Sequence, residues 1–96
     1  LFMSGIKPLR KASGLTKIEI TKLILCIKKI LKISISKGGS SIKDFKNAHG
    51  KKGFFQDHFK VYNRENAPCS RISCSGRIKK IFISNRSSFY CSKCQN

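Results

Sequence analysis

The longest periodic stretch of the chain begins at Thr16. Ile20, Leu23, Ile24, Ile27, Ile30, Leu31 and Ser34 recur at helical spacing, while Lys22, Lys28, Lys29 and Lys32 fall on the opposite side, so Thr16 to Lys37 is predicted to be one amphipathic helix. Thr16 and Glu19 have the spacing of a capping box at its start, and Gly38-Gly39 ends it. Upstream, Leu1–Met3 reads as the last turn of another helix, closed by Gly5 and followed by a basic turn around Pro8. Downstream, Ser40–Ala48 reads as a short element around Ile42 and Phe45, His49 to Phe55 as a glycine-rich loop, and Phe59–Asn63 as strand-like. Apolar Ile78, Ile81, Phe82 and Ile83, a polar run Ser84-Asn85-Arg86-Ser87, and Phe89-Tyr90 predict a terminal hairpin with a basic residue at its tip.

Composition narrows the function. The 96 residues carry 21 Lys and Arg against 4 Asp and Glu, a formal +17, divided evenly as +9 for residues 1–48 and +8 for residues 49–96. Such a body repels itself unless a polyanion is bound, which puts nucleic acid first among ligands and an anionic membrane surface second. Four acidic residues leave little scope for hydrolysis by paired carboxylates or by a carboxylate-held metal. No apolar run reaches the length of a membrane span, and the opening lacks the features of a secretory signal. The chain therefore reads as intracellular (cytoplasmic), where reduced thiols favour metal ligation over disulfides. Residue 1 is Leu and the first Met is Met3, which fits a natural beginning upstream or an alternative start codon.

The cysteines carry the chemistry. Cys69-x4-Cys74 and Cys91-x2-Cys94 are two short-spaced pairs on either side of the predicted hairpin, the arrangement of a four-cysteine zinc site. Two disulfides are the alternative. Four protein ligands leave no position for water or substrate, so the expected Zn2+ is structural. Cys26 falls off the apolar stripe with no Cys or His near it in sequence and reads as structural or incidental. His49 and His58 have no regular spacing to the Cys pairs and read as surface residues. Arg86, flanked by Ser84, Ser87 and Ser88, suits phosphate binding or insertion into a groove, against the plainer reading of a solvated surface arginine.

Taken in order, Gly38-Gly39-Ser40-Ser41-Ile42-Lys43-Asp44-Phe45, His49-Gly50-Lys51-Lys52-Gly53-Phe54-Phe55, Val61-Tyr62-Asn63-Arg64-Glu65 and the Cys pairs with Asn85-Arg86-Ser87-Ser88-Phe89-Tyr90-Cys91 resemble the C-terminal half of formamidopyrimidine-DNA glycosylases. The resemblance implies a mostly α chain with a small β-hairpin zinc finger. Residues 1–63 would be a helix-two-turn-helix DNA-binding module, partial at its N-terminus, and residues 64–96 a zinc-ribbon-like finger holding one zinc through Cys69, Cys74, Cys91 and Cys94. It further implies base excision repair: release of oxidised purines such as 8-oxoguanine from damaged double-stranded DNA, then cleavage of the abasic site by β- and δ-elimination. His49, Gly50, Gly53, Phe54 and Phe55 would belong to a mobile loop covering the flipped base. Arg86, with Ser87, Lys51 and Lys52, would bind DNA. Arg86 matches the finger arginine to which proton donation in δ-elimination is assigned; a guanidinium gives up its proton reluctantly, which favours an electrostatic role.

Two departures stand out. The first Cys pair is spaced x4 where x2 is the family's commoner form, a turn still able to close around zinc. The family's nucleophile, an N-terminal proline amine aided by a glutamate and a lysine of its first domain, has no counterpart here, so these residues read as a DNA-binding half-enzyme, expected to be monomeric, whose partner would be the missing N-terminal catalytic domain of the same chain. Two other readings share much of this pattern: a stand-alone zinc ribbon acting on RNA or the ribosome, and a membrane-surface peptide built on Thr16–Lys37.

Overall fold

The computed structural model describes residues 1–40 and 53–96. The chain divides into two compact units, one formed by Leu1–Leu23 with Lys60–Asn96 and the other by Ile24–Phe59. The boundary expected between residues 63 and 64 falls inside the first of these. Among the described residues no helix is long and apolar enough to cross a membrane.

Helix α1 runs Lys17–Ser36, close to its predicted bounds. Its start is built as the capping box requires: the Thr16 hydroxyl accepts the Glu19 N–H at 3.2 Å, and the Glu19 carboxylate accepts the Thr16 N–H at 3.0 Å. Arg10 clamps the same carboxylate with both guanidinium nitrogens, at 2.8 and 3.1 Å, while also donating to the carbonyls of Gly14 and Asn96. The helix ends where Gly38 and Gly39 take positive φ, letting the Gly39 N–H reach back to the Ser34 carbonyl at 2.8 Å.

The apolar stripe of α1 does not form a core. No residue of the helix is buried, and Ile20, Ile24, Ile27 and Leu31 are 42–56% exposed. The half-covered side is instead the neighbouring arc of Glu19, Leu23, Cys26, Ile30 and Ile33, so Cys26 is aligned with covered positions. Periodicity identified the helix correctly but could not say which arc meets other residues.

Leu1–Met3 forms the closing turn expected of it: with Gly5 at φ +75°, the Gly5 N–H bonds the Phe2 carbonyl and the Ile6 N–H the Leu1 carbonyl, the pair of bonds that ends a helix. One further expectation is corrected. Phe59–Asn63 is not a strand, because Asn63 adopts φ +55° and the Arg64 N–H folds back to the Val61 carbonyl. Residues 53–55 are held by backbone bonds, from Phe54 N–H to the Lys37 carbonyl and from Phe55 N–H to the Gly39 carbonyl, both at 2.8 Å; Phe55–His58 then forms a single 3-10 turn. Of the expected element Ser40–Ala48, only Ser40 is described, bridged antiparallel to Phe54. His49, Gly50, Lys51 and Lys52 lie outside the described residues.

The hairpin pairs β1 (Ile78–Ile83) with β2 (Arg86–Cys91), antiparallel, in a register that sets Ile78 opposite Cys91 and Ile83 opposite Arg86. Its loop is the two residues Ser84 and Asn85, both at positive φ as a tight primed turn demands. Arg86 is therefore the first residue of β2, not part of the turn. Burial grows toward the other end, where Ile78, Phe89, Cys69 and Cys91 form a small core with Phe2, Val61, Cys74 and Cys94 packed on it. Burying Ile78 to 1% exposure contributes about 1.5–3 kcal/mol, a large share for so small a core.

Candidate functional site

The hairpin register brings its two Cys-bearing ends together. On one side, Cys69 N–H bonds the Gly76 carbonyl at 2.9 Å and Pro68 bridges Arg77, closing the x4 turn at its base. The turn itself swings outward, with Ser73 at φ +65° and Ile72 93% exposed, so the longer spacing is absorbed away from the sulfurs. On the other side, Cys91 ends β2 and the chain folds back until the Gln95 N–H meets the Cys91 carbonyl at 3.2 Å.

The four Sγ atoms lie within 4.8 Å of one another. Cys69 and Cys94 are 3.8 Å apart, and Cys74 and Cys91 are 3.7 Å apart. Four thiolates around one ion at about 2.3 Å occupy tetrahedral corners separated by about 3.8 Å. The observed edges have that length and are far too long for S–S bonds, and all four cysteines are free. Backbone donors support thiolate charge: Arg71 N–H points at Cys69 Sγ at 3.5 Å and Gly76 N–H at Cys74 Sγ at 3.4 Å.

The ionisation of the cluster is uneven. Burial acts to raise the Cys91 thiol, but the N–H groups of Cys94 and Lys93 and the neighbouring thiols outweigh it and bring it down to about 7. Burial, followed by hydrogen bonding with the thiols of Cys91, Cys69 and Cys74, pushes Cys94 up to about 12. Burial likewise raises Cys69, against the opposing Arg71 N–H. One sulfur ionises readily while two neighbours resist; only a bound cation would let all of them be thiolates together.

Glycine is required beside the cluster. A Cβ on Gly76 would stand 2.7 Å from Cys91 Sγ and 2.8 Å from Lys93 Cβ.

The four predicted ligands are thus gathered at one end of the hairpin, while Arg86 and Ser87 are exposed at the other. Five residue steps along β2 take Arg86 to Cys91, roughly 17 Å of extended chain. Lys79 and Lys80 are exposed along β1, and Lys80 lies over the rings of Phe82 and Phe89 at 5.5 and 5.8 Å. Gly53 is buried, Phe54 is 61% exposed, and Phe55 is half-buried with its ring 6.2 Å from that of the exposed His58.

The sequence reading missed Gln95, and it placed Arg71 near the cysteines as a counter-charge without its contact to Phe2. Gln95 is 2% exposed with a hydrogen bond at each end of its amide, and Arg71 binds the Phe2 carbonyl with its guanidinium 4.9 Å from the Phe2 ring. Their positions beside cysteines were the available signal.

A long basic helix, a two-stranded hairpin and a cluster of four cysteines able to hold a metal ion give the chain the layout of a four-cysteine finger. No family model matches it. Among curated proteins it is 47% identical over 95 residues to formamidopyrimidine-DNA glycosylase of Ruegeria sp. (strain TM1040) and 44% identical to that of Hydrogenovibrio crunogenus, covering 99% of this chain but 34% and 33% of theirs. Among solved structures it superposes on a Lactococcus lactis Fpg variant in complex with Fapy-dG-containing DNA (TM-score 0.89) and on Lactococcus lactis Fpg in complex with abasic-site DNA (TM-score 0.88). Each is 33% identical, covering the whole of this chain and 34% of the other. Over nearly its whole length the chain is similar to formamidopyrimidine-DNA glycosylases, and it spans about one third of the length of the relatives it matches.

Proposed function

We propose that the chain is the C-terminal, DNA-binding part of a bifunctional DNA glycosylase and AP lyase. That enzyme excises oxidised purines (8-oxoguanine, formamidopyrimidine) and nicks the abasic site, acting inside the cell on damaged duplex DNA. Residues 1–63 serve as the duplex-gripping module and residues 64–96 as the finger. The observation that carries the reading is the cysteine-closed hairpin with Arg86 exposed at its far end, on a chain similar throughout to proteins solved with lesion-bearing DNA.

Cys69, Cys74, Cys91 and Cys94 would hold one Zn2+. Its contribution is charge neutralisation and cross-linking: it lets four buried or half-buried thiols ionise and fixes the base of a two-stranded hairpin that would be marginal alone. The finger then presents Arg86 on a rigid strand end beside Ser87, where a guanidinium fork can grip a phosphate in two places. Lys51 and Lys52 add phosphate contacts in this reading, and His49, Gly50, Gly53, Phe54 and Phe55 form the loop over the extruded base. Gripping phosphates on both sides of a lesion supplies the energy for flipping the nucleotide out.

Chemistry needs a nucleophile that these 96 residues do not supply. Residue 1 is Leu and the two prolines stand at positions 8 and 68, so the proline amine used by the family has no counterpart among them. An unactivated surface lysine is a weak substitute. By themselves the residues bind and position DNA.

The experiment is a binding competition. The zinc-loaded chain, monomeric in solution, should prefer a duplex with a central abasic-site analogue over single-stranded RNA of equal length. A preference for the RNA would instead support a stand-alone zinc ribbon acting on RNA or the ribosome.

A further inference from the structure

Gln95 has an arrangement that metal ligation alone does not explain. Among the described residues it is one of the largest fully buried side chains, with 2% exposure. A buried amide is costly unless both of its ends are bonded. Here both are: Oε1 accepts the Cys91 N–H at 2.7 Å, and Nε2 donates to the Ile6 carbonyl at 2.8 Å, 89 residues away. Cys91 is itself 0% exposed, so without Gln95 its N–H would face the interior with no acceptor.

Backbone bonds reinforce the link. Asn96 N–H donates to the Gly5 carbonyl at 2.9 Å, and Lys7 N–H donates to the Asn96 carbonyl at 3.1 Å. The other cysteine turn reaches the same segment, because the Arg71 guanidinium binds the Phe2 carbonyl and stacks on the Phe2 ring while the Arg71 N–H points at Cys69 Sγ. Each Cys-bearing turn therefore sends one polar side chain to residues 1–7, a stretch with no strand or helix of its own. Ser4 and Ile6 in that stretch are nonetheless buried, at 7% and 3% exposure.

We infer that Gln95 is a positioning residue that couples the four-cysteine cage to the N-terminal turn, so that metal loading and the seating of residues 1–7 on the finger occur as one cooperative event. The inference rests on the metal reading given above. Its consequence is a finger whose attachment to the segment leading into α1 depends on the metal, through a group that is not a ligand.

The test compares the wild-type 96-residue chain with Gln95→Met, which keeps the volume and removes both amide bonds. Zinc content, zinc affinity by chelator competition and amide hydrogen exchange are measured on each. Wild type should show protected amides at Lys7 and Asn96 only when zinc is bound. Gln95→Met should still bind about one zinc, with affinity lowered by about 10–100-fold, the usual effect of losing a group that orients a ligand. Its Lys7 and Asn96 amides should exchange at least tenfold faster while those inside β1 and β2 keep their protection. Unchanged exchange at Lys7 and Asn96 in the variant, or protection in wild type that ignores zinc, would overturn the coupling. Should the variant not fold, a zinc titration of wild type decides, since protection at Lys7 must rise in proportion to bound metal. Failure of the metal reading is seen separately, as a wild type that takes up no zinc.

Discussion

The sulfurs of Cys69 and Cys94 lie 3.8 Å apart although 25 residues separate them in the chain. Each sulfur of the first turn has its near neighbour in the second, Cys69 with Cys94 and Cys74 with Cys91. The cage is therefore closed between the turns, and anything that holds the turns apart weakens it. Gly76 is the position where this is most easily done. Gly76→Ala should lower zinc affinity at least tenfold in a chelator competition, because its methyl would be driven against Cys91 Sγ. Gly14→Ala, which meets no atom within 4 Å, is the control and should bind zinc as wild type does. Equal affinities in the two variants would contradict the packing.

Metal uptake should be strongly pH-dependent. With Cys69 raised and Cys94 pushed up to about 12, both still carry protons at neutral pH and must release them on binding. Affinity should therefore rise with pH by about tenfold per unit for each proton released. Cys91, at about 7, adds a further proton on the acid side, so the slope should steepen below neutrality. Chelator competition between pH 6 and pH 8 measures it; a flat profile would contradict the uneven ionisation of the cluster.

The start of α1 offers an independent check. The Thr16 N–H and the Arg10 guanidinium hold the Glu19 carboxyl below its ordinary 4.5. A carboxyl lowered in the folded state stabilises it above that ordinary value, and the contribution disappears as pH falls through the lowered one. The first turn should accordingly lose amide protection as pH drops below 4.5, and Glu19→Gln should abolish that dependence. Thr16→Ala removes the other half of the box and should cost about 1 kcal/mol in thermal unfolding. An unaltered melting temperature would show that the box is not maintained in solution.

Local chemistry was legible in the sequence where neighbours in the chain are partners in space. Thr16 and Glu19 announced the helix start because a capping box is complete within four residues, and the two Cys pairs announced the cage because each turn is short. The hairpin was read correctly, but Arg86 was placed in its turn; the positive φ of Ser84 and Asn85 shows that two residues suffice. Phe59–Asn63 looked like a strand from its residue types, yet a strand needs an edge to pair with and Asn63 turns the chain instead. The contacts that remained invisible join distant residues: Arg10 and Gln95 bond groups 86 and 89 positions away, and no local pattern encodes them. The exposed stripe of α1 belongs with these, since periodicity gives an apolar face without its counterpart.

Catalysis should be absent from these residues in isolation. The zinc-loaded chain should release no 8-oxoguanine from a lesion duplex, and borohydride should trap only the slow background adduct of surface lysines at an abasic site. Base release at enzyme-like rates would place a nucleophile within the 96 residues, with the Leu1 amine as the first candidate.

The central claim, that a zinc-braced finger presents Arg86 to the phosphates of damaged duplex DNA, is tested most directly by titrating wild type and Arg86→Ala with an abasic-site duplex across a salt series. Wild-type affinity should fall steeply with salt as phosphate counterions are released. Arg86→Ala should bind about 1–3 kcal/mol more weakly and lose about one unit of the salt slope. Identical affinity and slope for the two proteins would contradict the claim and leave Arg86 a solvated surface residue.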